Sequence, residues 1–112
     1  MKAKEKQRYE VRARIIKALA HPTRLFIVDE LSKGEKCVCE LTEMVGDDIS
    51  TISKHLFLLK LAGVLETEKR GTNVYYRLKM CCLGRLFECI DEVMMENAKQ
   101  HLEIIKSSKV AR

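Results

Sequence analysis

The sequence contains no tryptophan and a single proline, Pro22, so little interrupts long helices and the chain reads as mostly helical. No apolar run approaches the roughly 20 residues of a membrane span. The charged opening MKAKEKQRYEVRAR has no apolar segment behind it of the kind a secretory signal needs. These absences point to a cytoplasmic protein with no membrane partner. Also missing are a nucleophile with a base partner, a glycine-rich phosphate loop and a metal site with an evident open substrate position, so no enzyme activity and no organic cofactor are expected. The five cysteines, Cys37, Cys39, Cys81, Cys82 and Cys89, are odd in number. In a reducing compartment they read as free thiols or ligands and not as a disulfide framework.

What is present fits one folded domain, residues 1–112, with 46% hydrophobic and 33% charged residues. The net charge of +5 and isoelectric point near 9.0 suit a polyanion partner once a motif supports one. Val11, Ile15, Ala18 and Leu19 recur at helical spacing and predict a first amphipathic helix over residues 7–20. AHPTRLFIVDEL restarts a helix at Pro22, with Leu25, Ile27, Val28 and Leu31 turned inward and Gly34 ending it. Val38, Leu41, Met44 and Val45 predict the buried side of a short helix stopped by Gly46. Asp48 is placed to cap a second helix, whose buried positions are Ile49, Ile52, Leu56, Leu59 and Leu58. Two such helices across a tight turn, residues 38–62, have helix-turn-helix geometry.

After Gly63 the hydrophobic period changes. VLETEKRGTNVYYRLK carries two β-rich runs around KRGTN and predicts a basic hairpin, or wing, over residues 64–79. Leu83, Leu86, Phe87, Ile90, Val93, Met94, Ala98, Leu102 and Ile105 then step by three and four and predict a helix over residues 83–106. Its stripe is too long for so small a domain to cover and suits a second copy of the chain. The fold class is therefore mainly α with a small β-hairpin: a winged helix-turn-helix, dimerised through its terminal helices.

With ALAHPTRLFIVDEL, CVCEL, STISKHLFLLKLAGVLE and GTNVYYRL in this order, the chain resembles the ArsR/SmtB family of winged-helix metal- and metalloid-responsive repressors. The resemblance implies a homodimer, with Val11, Ile15, Leu86, Phe87, Ile90, Val93, Met94 and Leu102 at the interface. It also implies that the dimer sits on double-stranded operator DNA and leaves when an effector binds. A base reader needs short polar side chains on one helix and cations around it. Ser50, Thr51, Ser53, Lys54 and His55 supply the first, although the resemblance also allows His55 to brace the helix against its neighbour in place of touching bases. Lys60, Lys69, Arg70 and Asn73 supply phosphate or minor-groove contacts, with Arg70 at the wing tip. A winged helix that binds protein in place of DNA is the alternative that this polar face disfavours.

The thiol pair of KCVCELTE has three readings: core residues, a redox or polysulfide-responsive pair, or ligands for a soft ion. Residues two apart on an α-helix differ by about 200° around its axis, so capture of both sulfurs by one ion is expected to unwind the first turn. The resemblance adds that CVCEL is spelled as in sensors of trivalent arsenic and antimony, and of cadmium and lead. Arsenic or antimony is the expected effector, with cadmium, lead or zinc as alternatives. The arsenic pattern has a third cysteine where this chain has Thr42, so Cys81, Cys82, Cys89 or an exogenous ligand would complete the site. Residues 1–36 lack the cysteines of the cadmium/lead version. The family's zinc site on the last helix would need ligands at Ile90 and Ile104 if His101 were its second histidine.

Overall fold

The computed structural model of the chain describes residues 1–110. Its elements run α1 (Ala3–Leu19), α2 (Pro22–Ser32), β1 (Lys36–Cys37), α3 (Val38–Val45), α4 (Ile49–Leu61), β2 (Leu65–Arg70), β3 (Asn73–Leu78) and α5 (Leu83–Val110). They fall into two compact units, one ending at Cys81 and one beginning at Cys82. Two boundaries differ from expectation. The first helix begins at Ala3, because the charged residues ahead of Arg8 are themselves good helix formers. The last extends past residue 106 to Val110.

In the first unit, Pro22 opens α2 at a position whose missing N–H costs nothing, and His21 caps it by accepting the Thr23 N–H at Nδ1, 3.1 Å away. Asp48 caps α4, accepting the Thr51 N–H at 2.8 Å. Gly46, at φ 84°, ends α3 in the left-handed conformation that a residue with Cβ avoids, and so sets the turn between the two helices.

The core joins Ile27, Val28 and Leu31 of α2 to Leu41 of α3 and to Ile52, Leu56 and Leu59 of α4, with Leu19, Val64 and Leu65 around them. The last three recur at intervals of four and three and so lie along one side of α4. Met44 and Ile49, expected inside, are 44% and 57% exposed; both lie at the margins of their helices' apolar faces.

The sheet has three antiparallel strands in the order β1-β3-β2. The hairpin is tighter than KRGTN suggested: Arg70 pairs with Asn73, so only Gly71 and Thr72 form the turn, and Gly71 at φ 61° supplies its left-handed residue. The unexpected strand is β1. Its two residues pair Lys36 with Tyr76 and Cys37 with Tyr75, a stretch too short for alternation to reveal.

The second unit is α5 itself. Leu86, Ile90, Val93, Met94 and Leu102 are each more than 40% exposed along it, and Phe87 is half-buried. On α1, Val11 is 49% exposed and Ile15 half-buried.

Because Leu56 is fully enclosed, truncating it should leave a cavity. Leu56→Ala is expected to lower stability by about 2–5 kcal/mol, read as an earlier midpoint in urea denaturation. A midpoint equal to that of the parent would show that α4 is not held by this core.

Candidate nucleic-acid interface and thiol pair

The side of α4 away from the core presents Ser50, Ser53 and Lys54, all exposed, while Thr51 is half-buried. Ser50 is partly committed, since its hydroxyl donates to the Asp48 carboxylate at 2.9 Å. With the Thr51 and Ser50 donors around it, that carboxyl is held below its ordinary range. Phe57, not anticipated as a surface residue, is 62% exposed one turn beyond Ser53 and Lys54. Lys54, Lys60 and Lys69 are exposed and make no ion pair among the described residues.

His55 departs from the base-reading alternative and takes the bracing one. It is half-buried, its ring 4.5 Å from that of His21, and its Nδ1 lies 3.4 Å from Arg24 Nη1. An arginine can only donate, so Nδ1 accepts and the neutral ring carries its proton on Nε2. His55 therefore braces α4 against the start of α2. Burial, followed by the neighbouring His21 and Arg24, holds its pKa below the ordinary 6.5, with Asp47 opposing.

Arg70 departs as well. Its Nη1 and Nη2 donate to the two oxygens of Glu35, the second at 3.1 Å, and Nη2 also donates to Glu68 at 2.8 Å. The guanidinium lies 4.8 Å from the centre of the Tyr75 ring. Beside it Arg77 donates to Glu66 at 3.2 Å and to Glu68 at 3.0 Å. Strand alternation explains the cluster: Glu66, Glu68 and Arg70 share one face of β2, opposite Arg77, Tyr75 and Asn73 of β3. That pairing was available in ETEKR and NVYYR. What the sequence could not announce was Glu35, brought in by β1.

The thiols are placed differently from one another. Cys37 is the last residue of β1 and the cap of α3; its backbone is extended, its N–H donates to Glu40 Oε1 at 3.2 Å, and its Sγ accepts the Glu40 N–H at 3.4 Å. Cys39 lies in the first turn of α3. In place of five free thiols, these two are joined as a disulfide, with Cα atoms 5.4 Å apart. Since Cys37 precedes the helix, the 200° separation does not apply and the sulfurs meet without unwinding α3. Cys37 is buried and Cys39 exposed. Cys81, Cys82 and Cys89 are free and exposed. Thr42, at the third position of the arsenic pattern, donates its hydroxyl to the Val38 carbonyl at 2.7 Å. Among the described residues no three Cys, His, Asp or Glu side chains form a cluster suited to a metal ion.

This arrangement has known counterparts. The family described as "Bacterial regulatory protein, arsR family" matches residues 21–67, from the cap of α2 into the wing. An uncharacterised helix-turn-helix transcriptional regulator of Methanocaldococcus jannaschii is 35% identical over 78% of this chain and 99% of its own length. The chain belongs to the ArsR family. As a member of it, the protein is a winged-helix transcriptional regulator. The Biofilm growth-associated repressor of Xylella fastidiosa is 33% identical over 86% of this chain and 83% of its own. Among solved structures, the homodimeric winged helix-turn-helix DNA-binding domain Mb0332 of Mycobacterium bovis superposes with a TM-score of 0.76 at 32% identity, covering 89% of this chain and 93% of that one. No described helix of this ArsR-family protein is long and apolar enough to cross a membrane.

Two outcomes follow from the site. Lys54→Ala should weaken binding to a duplex selected from a random-sequence pool and reduce the salt slope by about one per protomer; unchanged affinity and slope would remove Lys54 from the interface. A depressed His55 pKa means that the unfolded chain takes up the proton first. The stabilisation is complete above about pH 6.5 and is lost as pH falls through the lower folded value. The urea midpoint should therefore fall between pH 7.5 and 5.5, and fall less in His55→Gln.

Proposed function

We propose that this protein is a homodimeric transcriptional repressor that holds operator DNA through α4 and the wing and lets go when the Cys37–Cys39 pair reacts. The observation that carries this reading is the position of the pair. One sulfur caps α3, the other stands in its first turn, and α3 supports α4 across the Gly46 turn. Homodimerisation is supported by the exposed apolar side chains of α5 and by the homodimeric Mycobacterium bovis neighbour. The name of the Xylella relative supports repression.

The geometry favours two-electron oxidation as the chemistry, because the sulfurs already lie within bonding reach. A Cys thiolate attacks one oxygen of a peroxide, releasing hydroxide and leaving a sulfenic acid. The second thiol displaces that oxygen as water, and the S–S bond forms. Two thiols and one peroxide thus give one disulfide and two waters, with the two sulfur electrons reducing the oxidant. A polysulfide serves equally, its sulfane sulfur leaving as hydrosulfide.

A second reading, favoured by the CVCEL spelling, is capture of trivalent arsenic or antimony between the same two thiolates, with hydroxide or an external thiol as third ligand. Cadmium, lead or zinc would need further donors.

Titrating reduced protein on its selected duplex under argon separates the readings. Release by hydrogen peroxide with a loss of two hydrogens in the protein mass identifies oxidation. Release by arsenite with a thiolate-to-arsenic absorption band identifies coordination. The affinity change is expected to be about tenfold or more. Cys37→Ser and Cys39→Ser should each abolish it, while combined serine changes at Cys81, Cys82 and Cys89 leave it intact. A full response in Cys37→Ser would sink the pair as the switch.

A further inference from the structure

We infer that Glu35 is the positioning residue through which the thiol pair acts on the DNA surface, by holding Arg70 away from phosphate. The inference rests on the reading of Cys37–Cys39 as the switch and assigns its route. Glu35 lies two residues before Cys37, just ahead of β1, whose only two residues pair with Tyr76 and Tyr75 of the wing. The same Tyr75 ring lies under the Arg70 guanidinium, so Cys37 and Arg70 flank one side chain.

Arg70 makes three charge-assisted hydrogen bonds in this disulfide state. A guanidinium offers five N–H donors in a fixed fork. Glu35 takes it bidentately and Glu68 takes a further bond. Around it the carboxylates Glu35, Glu66 and Glu68 outnumber the guanidiniums Arg70 and Arg77, so this face of the wing is net acidic although the chain is basic. A phosphate approaching Arg70 must displace a carboxylate and also meet its neighbours' repulsion. Losing Glu35 alone removes that excess: two guanidiniums then face two carboxylates, and Arg70 keeps Glu68 as its sole carboxylate partner.

The disulfide fastens the end of β1 to the first turn of α3, and with it the segment that carries Glu35. Opening it leaves that two-residue strand held by its pairing to β3 and by the Cys37–Glu40 cap bonds, without the covalent link, so the junction can shift and Glu35 can leave Arg70. In the oxidised protein Arg70 is latched; in the reduced protein it reaches the backbone of DNA.

The test measures affinity for the selected duplex across a salt series, in dithiothreitol and after hydrogen peroxide, with the disulfide confirmed by mass. In the parent, oxidation should weaken binding and flatten the slope of log affinity against log salt by about two for a dimer, roughly 0.9 per lost phosphate contact. Glu35→Gln should bind with the steeper slope in both states and lose most of the difference, while Glu35→Asp restores it. Glu66→Gln, which removes a partner of Arg77 and none of Arg70, should keep the difference. Equal strengthening of both states by Glu35→Gln, with the redox difference preserved, would overturn the latch and leave the thiol switch standing. A parent protein whose affinity ignores peroxide would overturn both. Unchanged thermal unfolding of the reduced Glu35→Gln protein is the expected sign that this exposed side chain acts through Arg70 and not through the fold.

Discussion

Cys37 ends a strand and begins a helix, and the first unit is organised around that coincidence. Its backbone completes the edge of the sheet against Tyr75, while its sulfur and Glu40 exchange the reciprocal bonds that satisfy the first N–H groups of α3. A side chain buried at such a junction is constrained from both directions. Moving it for the sake of the helix disturbs the wing, and moving it for the sake of the wing uncaps the helix. Thiol chemistry at this point bears directly on the edge of the sheet and on α3, the helix across the Gly46 turn from α4.

Much of the fold was legible because it rests on periodicities of ten residues or more. Ile52, Leu56 and Leu59 announce the inner side of α4, and Pro22, Asp48 and Gly46 mark helix ends through backbone chemistry that operates locally. The hidden parts depend on what meets across the fold. Two residues of β1 carry no pattern of their own, and without β1 nothing brings Glu35 to Arg70. His55 could be read from the sequence as a base reader or as a brace; what no single stretch encodes is its partner, since its half-burial against His21 depends on how α2 meets α4. The thiol pair was misread for a smaller reason. A helix beginning one residue after Cys37 changes two thiols that would diverge by more than half a turn into two that touch.

The two cation-bearing parts of the surface differ in kind. On α4, Lys54 and Lys60 make no ion pair among the described residues and add to the field that draws a polyanion in. On the wing, Arg70 and Arg77 are already compensated. Exposed pairs of this sort add little to stability, which fits a cluster whose partners can be exchanged without loosening the sheet beneath it. Affinity can thus be set at the wing while the fold and the reading helix stay as they are.

The ring closed by Cys37 and Cys39 spans a single intervening residue, Val38. A cross-link stabilises a fold largely by denying the unfolded chain its freedom, and its effect grows slowly, with the logarithm of the length of chain it encloses. A loop this small sits at the low end of that scale. Under the proposed switch, the bond therefore forms and breaks at a smaller cost to the stability of the domain than a cross-link closing a longer loop.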